Sequence, residues 1–213
     1  AEVAPKLAAH TDAIVLDPAL FARIEALFQT RDELGLDPES RRLLERYHRD
    51  AVRAGARLGR DEQRRLRELN AELSALSTQF GAMLLAEAND SAVHVTDPAQ
   101  LDGLAPDAVS AAGEAAKARG LDGHLITMVL PTGQPALAAL TDRPLRERVH
   151  RASVSRGARG NEHDTRAIVA LMATLRAERA GLLGHPHHAS WTVEDATAAS
   201  VEAMDEMLGK LVP

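Results

Sequence analysis

One long apolar seam constrains the fold of this chain more than any other feature. Its six large apolar residues alternate steps of three and four along the sequence: Leu66, Leu69, Leu73, Leu76, Phe80 and Met83. This spacing places them on one narrow stripe of an α-helix, which must pack against a neighbouring helix. No proline falls between Gly59 and Asp97, so the seam predicts a helix of about 30 residues, roughly 45 Å long.

The composition also favours helices. The chain holds 40 alanines and only five aromatic residues among its 213 residues. Alanine has the highest helix propensity and a poor strand propensity, which favours closely packed helices over a sheet. There is no cysteine, which excludes disulfides and thiolate metal sites and is typical of a reducing compartment.

Charge and hydropathy exclude two classes of partner. A formal net charge of −6 gives no general attraction to nucleic acid or to anionic lipid. No apolar run approaches the length of about 18 residues that a membrane-spanning helix needs. We therefore expect a cytoplasmic protein with no nucleic-acid and no membrane partner.

Turn signals organise the first 90 residues into a helical bundle. Asp17-Pro18 and Asp37-Pro38 each combine an N-cap residue with proline at the first helical position. Short turns separate the two resulting helices and the long seam helix, which predicts an antiparallel arrangement over residues 1–90. We expect the helix that carries Leu43, Leu44 and Tyr47 to cover the seam.

The pattern changes in the middle of the chain. Residues 92–96 and 125–130 are short, rich in β-branched residues and bounded by turn formers, which predicts a two-stranded sheet within a small α/β insert at 91–135. Helices resume over residues 136–213. The chain begins with Ala1 rather than Met, and its last residues follow a helical pattern without a tail, so we expect a piece of a longer protein.

Nine histidines are the first candidates for chemistry, since imidazole is a common metal ligand and proton carrier. The densest group is the turn His185-Pro186-His187-His188, for which a solvated helix connection and adventitious metal binding are the two interpretations. The segment 161–164 is better explained as a helix cap, and His48 and His150 as packing or surface residues. Trp191 is expected to anchor the turn after Gly184 in the core.

Motifs with established chemistry are missing from the sequence. H-E-x-x-H, G-x-S-x-G, the Walker-type phosphate loop and G-x-G-x-x-G are all absent. We therefore predict no catalytic, no cofactor-binding and no metal-ligating residue within these 213 residues.

A stripe of arginines offers a different possibility. Five arginines fall at helical spacing on one face: Arg42, Arg46, Arg49, Arg53 and Arg57. Such a face can bind phosphates, but acidic residues are interleaved and no aromatic residues alternate with them for base stacking. The stripe is interpreted as a solvated or salt-bridging face, with binding to RNA or an acidic protein as the alternative.

Four segments of the chain resemble one family in its own order. They are RRLLERYHRDAVRAGARL (41–58), LNAELSALSTQFGAMLLAE (69–87), ALTDRPLRERVHRAS (139–153) and DTRAIVALMATLRAERAGLLG (164–184). Together they resemble the zinc metallopeptidases of the thimet oligopeptidase and neurolysin type, and most of all the bacterial peptidyl-dipeptidases. The segments span nearly the whole chain. The family departs from this sequence at the turn around His185, where it usually has an aromatic and a small polar residue.

The resemblance implies a helical, two-lobed enzyme whose deep channel admits short peptides. It also implies a zinc site formed by H-E-x-x-H and a downstream glutamate, in which two histidines bind the metal and the motif glutamate activates water. Those residues lie beyond the matched segments, so none is assigned to this chain.

The sequence thus gives two hypotheses. In the first, the chain is the N-terminal, non-catalytic part of a cytoplasmic zinc peptidase that releases C-terminal dipeptides, and its partner is the remaining catalytic lobe. It would bind no zinc itself. In the second, it is a stand-alone helical module that uses Arg46, Arg49 and Arg53 on RNA or an acidic partner.

Overall fold

The computed structural model describes residues 3–129 and 133–212, with the side chains of 133 and 134 left aside. Within these ranges the fold is mainly helical, with ten α-helices, one 3₁₀ turn at Pro98–Leu101 and one two-stranded sheet. The helices are α1 Val3–Val15, α2 Pro18–Gln29, α3 Pro38–Arg53, α4 Arg60–Asp90, α5 Pro106–Lys117, α6 Gly133–Ala139, α7 Arg143–Val154, α8 Arg166–Leu182, α9 His188–Val193 and α10 Val201–Gly209. The strands are β1 Val93–Val95 and β2 His124–Ile126. The prediction of a mainly α fold with one long helix and a small sheet is confirmed.

Aspartate caps start the helices where the sequence predicts them. Asp17 Oδ1 accepts a hydrogen bond from the Leu20 backbone N–H at 2.6 Å. Asp37 accepts bonds from the two backbone N–H groups at the start of α3, at 3.0 and 2.9 Å. Asp142 does the same for α7, where its Oδ1 lies 2.7 Å from the Leu145 nitrogen. Each cap satisfies N–H groups that have no partner within the helix.

The chain forms two compact units. The first contains residues 1–78 and 170–213, and the second contains residues 79–169. Among the described residues, none of the helices combines the length and the apolar character needed to cross a membrane.

In the first unit, the start of the long helix α4 is buried. Leu66, Leu69 and Leu73 are 1%, 0% and 6% exposed. Gly55, in the turn before α4, lies directly against this stripe. A Cβ atom on Gly55 would come within 2.7 Å of the Leu66 side chain and within 3.3 Å of the Leu183 side chain. The first half of the predicted seam is therefore a true packing surface.

The predicted partner of the seam is wrong. Leu43 and Tyr47 are 55% and 59% exposed, so they do not cover it. Polar contacts instead connect α4 with α8 and α1. Arg65 donates two hydrogen bonds to Glu178 of α8, at 2.6 and 2.9 Å. The side chain of Asn70 forms one hydrogen bond to α1 and another to α8. Apolar periodicity shows that a face is buried but does not show which helix buries it.

The second unit is built around the small sheet. β1 and β2 are antiparallel, with Val93 opposite Ile126 and Val95 opposite His124. Their apolar side chains form one core with residues of the 3₁₀ turn, α6 and α7: Val93, Val95, Leu101, Ile126, Met128, Ala136, Leu140, Leu145 and Val149. Two alanines of α5, Ala112 and Ala116, are buried as well.

The strands are shorter than the sequence predicts. β2 ends at Ile126 rather than continuing towards residue 130, which itself lies outside the described residues. The reason is the partner strand: α4 extends to Asp90, so β1 offers only three residues for pairing. Gly123 leads into β2 with φ +81°, and a Cβ there would lie 2.5 Å from the Val95 carbonyl oxygen. Only glycine fits this close turn without strain.

Candidate functional site

Four of the five arginines of the stripe lie on α3 and face acidic partners within the first unit, whereas Arg57 lies beyond the end of the helix at Arg53. The Arg49 Nη2 atom lies 2.8 Å from Asp195 Oδ1. Arg53 forms an ion pair with Glu194, and its Nη2 donates a hydrogen bond to the Trp191 carbonyl oxygen at 2.7 Å. The two acidic residues directly follow α9, so the stripe fixes this segment against α3.

The other three arginines of the stripe also have carboxylate partners. The distance from a guanidinium nitrogen to a carboxylate oxygen is 3.5 Å for Arg46 and Asp50, 3.1 Å for Arg57 and Glu25, and 3.9 Å for Arg42 and Glu45. RNA or an acidic protein would have to compete with these carboxylates for the guanidinium groups. The arrangement favours the salt-bridging interpretation of the stripe over the binding-module hypothesis.

His48 is buried next to this face. It is 7% exposed, stacks on Phe28 with ring centroids 3.7 Å apart, and its Nε2 lies 2.8 Å from Glu25 Oε2. The hydrogen bond from His48 is the main cause that holds the pKa of Glu25 below its usual range. Burial opposes this shift, and the weaker hydrogen bonds from Arg57 and Gln29 add to it. The His48–Glu25 pair resembles a catalytic acid–base pair. However, the His48 ring of α3 stacks on a ring of α2, which indicates a packing role. The sequence prediction for His48 is consistent with this role.

The three histidines of the turn at 185–188 point to three different partners. The Nδ1 atom of His187 accepts a hydrogen bond from the Ser190 backbone N–H at 3.1 Å and caps α9. The Nε2 atom of His185 lies 3.9 Å from Glu194. His188 stacks on Trp191, with ring centroids 5.7 Å apart. The turn thus joins two helices, and its imidazoles do not converge on one point.

Trp191 does not anchor this turn through an apolar core. Its ring lies below two guanidinium groups, those of Arg53 at 5.4 Å and Arg179 at 4.7 Å from the ring centroid. Its indole nitrogen donates to the Arg53 carbonyl oxygen at 3.4 Å. Cation–π contacts of this kind hold the turn in place. The sequence pattern does not indicate these partners of Trp191. Arg53, for example, lies 138 positions away from Trp191 in the sequence.

The best-built polar cluster of the second unit surrounds Glu87 on α4. Glu87 is completely buried and accepts hydrogen bonds from Arg159 Nε at 2.5 Å and Arg159 Nη2 at 2.8 Å. Asn161 Nδ2 donates to the same carboxylate at 2.9 Å, and Ser91 Oγ lies 3.4 Å away. The Arg159 guanidinium, together with the Asn161 amide and a backbone N–H, lowers the pKa of Glu87 to about 2 although burial opposes the shift.

The neighbouring acidic segment has the capping role that the sequence predicts. Asp164 accepts hydrogen bonds from the backbone N–H groups of Gly160 and Arg166, at 2.9 and 3.1 Å, just before α8 begins. His163 does not join it, because its Nε2 lies 3.1 Å from Asp90 at the end of α4. Together with the Glu87 cluster, these contacts fix the loop between α7 and α8.

The described residues line several cavities, of which one in each unit has a volume of about 370 Å³, enough for a small ligand. The one in the second unit is apolar and lies between α5, β2 and α6, where alanines of α5 face Leu125 and Ile126. The one in the first unit is polar and lies between α1, α4 and α8.

The residues that the structure describes do not fit a metal site. No group of three histidine or acidic side chains comes together in the two described ranges. Zinc usually takes three or four such ligands from a protein.

Known proteins resemble nearly the whole of this chain. It is 40% identical over 209 residues to the dipeptidyl carboxypeptidase of Escherichia coli, and 41% identical to that of Salmonella typhimurium, in both cases over 98% of the chain. It is also 32% identical over 200 residues to the probable cytosolic oligopeptidase A of Arabidopsis thaliana, which covers 90% of the chain. No family model matches the chain.

These relatives are much longer than the chain. It spans about 31% of the two bacterial dipeptidyl carboxypeptidases and 28% of the plant oligopeptidase. The similarity therefore concerns one part of each relative and covers both units described above.

Proposed function

Because this chain belongs to the family formed by the dipeptidyl carboxypeptidases and oligopeptidases A, we propose that the whole protein is a peptidase that hydrolyses oligopeptides with zinc. The observation that carries the proposal is the identity of 40% over 98% of the chain. Because the identity of this level extends over more than 200 residues, both complete units of this chain have a counterpart in the peptidase.

Within that protein, the chain forms the N-terminal, non-catalytic helical part. The absence of H-E-x-x-H from the sequence supports this role, as does the lack of a suitable ligand group in the ranges that the structure describes. The catalytic residues and the zinc site then belong to the remaining lobe, which is the principal partner of this chain. The substrates of the whole protein are short peptides, and the whole protein is located in the cytoplasm.

The finer specificity we propose is the release of dipeptides from the C-terminus of a peptide. Support comes from the two bacterial relatives, whose name is dipeptidyl carboxypeptidase and whose identity exceeds that of the oligopeptidases A. Oligopeptidase-type internal cleavage is the alternative.

The test uses the whole protein and an oligopeptide with a blocked N-terminus. Mass spectrometry of the products distinguishes successive loss of dipeptides from internal cleavage. The proposal requires activity that a chelator abolishes and that added zinc restores. A whole protein that leaves every such peptide intact would contradict it.

A further inference from the structure

The polar cavity of the first unit contains more positive than negative charge. Its polar lining comes from α1, α4 and α8: Thr11, Asp12, Asn70, Ser74, Ser77, Arg176 and Arg179. Two guanidinium groups thus share the cavity with a single carboxylate. Every one of these residues lies within the first unit.

Neither arginine has a carboxylate partner among the described residues. Arg179 Nη1 donates a hydrogen bond to Asn70 Oδ1 at 3.4 Å, and the guanidinium covers the Trp191 ring. Arg176 has no hydrogen bond or ion pair within residues 3–129 and 133–212. Burial, followed by the charge of Arg176, lowers the pKa of Arg179. The two cations therefore lie close enough to repel each other.

Asp12 compensates the charge of this pair only in part, through its attraction to Arg179. It is only 6% exposed, and its Oδ1 accepts a hydrogen bond from Asn70 Nδ2 at 3.0 Å rather than from a guanidinium. Burial raises the pKa of Asp12 and outweighs the Asn70 hydrogen bond and the charges of Arg67 and Arg179, which lower it. On the other side, burial and the charges of Arg179 and Arg176 lower the pKa of His188. The positive potential therefore extends beyond the cavity wall.

We propose that this cavity binds a small oxyanion, a phosphate or carboxylate group, between Arg176 and Arg179. A guanidinium donates through two parallel N–H groups, which match the two oxygens of such an anion. Thr11, Ser74 and Ser77 line the same cavity, and a hydroxyl group can donate a hydrogen bond to a bound anion. A bound anion would also remove the repulsion between the two arginines. This proposal does not rest on the proposed peptidase activity.

The test is isothermal titration calorimetry of the 213-residue chain with inorganic phosphate and, separately, with succinate. Ionic strength is held constant with sodium chloride, so that general screening does not count as binding. Arg176→Gln should weaken saturable binding at least tenfold, because one bidentate charged contact is lost. Arg23→Gln removes the same charge from an exposed residue of α2 outside the cavity, and should leave the affinity unchanged.

Asp12→Asn is the complementary variant. It removes the one negative charge of the cavity, so the anion should bind more tightly than to the wild type. Should the circular dichroism spectrum of Arg176→Gln show loss of helix, Arg176→Lys replaces it, with at least threefold weaker binding expected because an ammonium group cannot bind two oxygens side by side. Saturable binding of only one of the two anions supports the proposal and shows which anion the cavity accepts. Absence of saturable binding for both, or equal affinity in wild type and the Arg176 variant, would overturn the proposal.

Discussion

The buried carboxylate of Glu87 gives the sharpest prediction on stability. Glu87→Gln keeps the size and most of the shape of the side chain but removes its charge. The variant leaves Arg159 opposite a neutral amide, whose N–H₂ group cannot accept the two hydrogen bonds that the carboxylate accepts now. Because Arg159 is one-third exposed, water can partly solvate its guanidinium in the variant.

The magnitude follows from the pKa of Glu87. A carboxyl group with an ordinary pKa of 4.5 has a pKa of about 2 in the folded protein. This difference corresponds to about 3 kcal/mol of folding free energy at pH 7, at about 1.4 kcal/mol for each pKa unit. Since the folded pKa is the lower one, this stability is present above pH 4.5 and is lost as the pH falls towards 2. At pH 3, midway through this loss, less than half of it should remain.

Urea unfolding, followed by far-ultraviolet circular dichroism between pH 3 and 7, measures this difference. The only tryptophan and the only tyrosine lie outside residues 79–169, so their fluorescence does not report on this unit. Glu147→Gln is the matched control, because Glu147 forms an exposed ion pair with Arg151 one helical turn away. Such surface pairs contribute less than about 0.5 kcal/mol.

Two results would refute the reasoning. One is a difference between wild type and Glu87→Gln that stays constant from pH 3 to pH 7. The other is a loss of stability no larger than that of Glu147→Gln.

Two further predictions concern packing and one backbone turn. Leu69→Ala should cost about 3 kcal/mol in urea unfolding, because Leu69 is fully buried. Leu43→Ala, at a half-exposed site, should cost less than about 1 kcal/mol, and equal losses would contradict the assignment of the seam. Gly123→Ala should lower the thermal midpoint of the second unit by several degrees, since its φ is +81° and the new Cβ would meet the Val95 carbonyl. Gly120→Ala, which also has a positive φ but no atom within 4 Å, is the control and should cost less.

Helix positions could be predicted from the sequence because their signals are local. Asp17, Asp37 and Asp142 lie two or three residues from the N–H groups that they cap, and the proline after or near each of them fixes the first turn. The long helix follows from periodicity and from the absence of proline. These signals require no knowledge of the rest of the fold.

Partners that are distant in sequence could not be predicted in this way. The spacing of Leu43 and Tyr47 is the same whether they are buried or exposed, so their exposure depends on the neighbouring helices. The arginine stripe shows the same limit. Acidic residues close in sequence were visible, but Glu194 and Asp195, from more than 130 positions away, are essential partners of Arg53 and Arg49.

Glu87 is a residue that sequence reasoning missed although a signal was present. The seam at positions 66, 69, 73, 76, 80 and 83 continues with a step of four to position 87. A carboxylate at a position that the pattern reserves for a buried residue requires a charged partner. The pattern indicates that need, but Arg159, 72 positions later, can be identified only from the structure.

We propose above that this chain is the non-catalytic part of a zinc peptidase. The most direct measurement compares the isolated 213-residue chain with the whole protein on one blocked oligopeptide, each with added zinc and with a chelator. We expect hydrolysis by the whole protein that the chelator abolishes, and none by the isolated chain even with zinc. Chelator-sensitive hydrolysis by the isolated chain would contradict it.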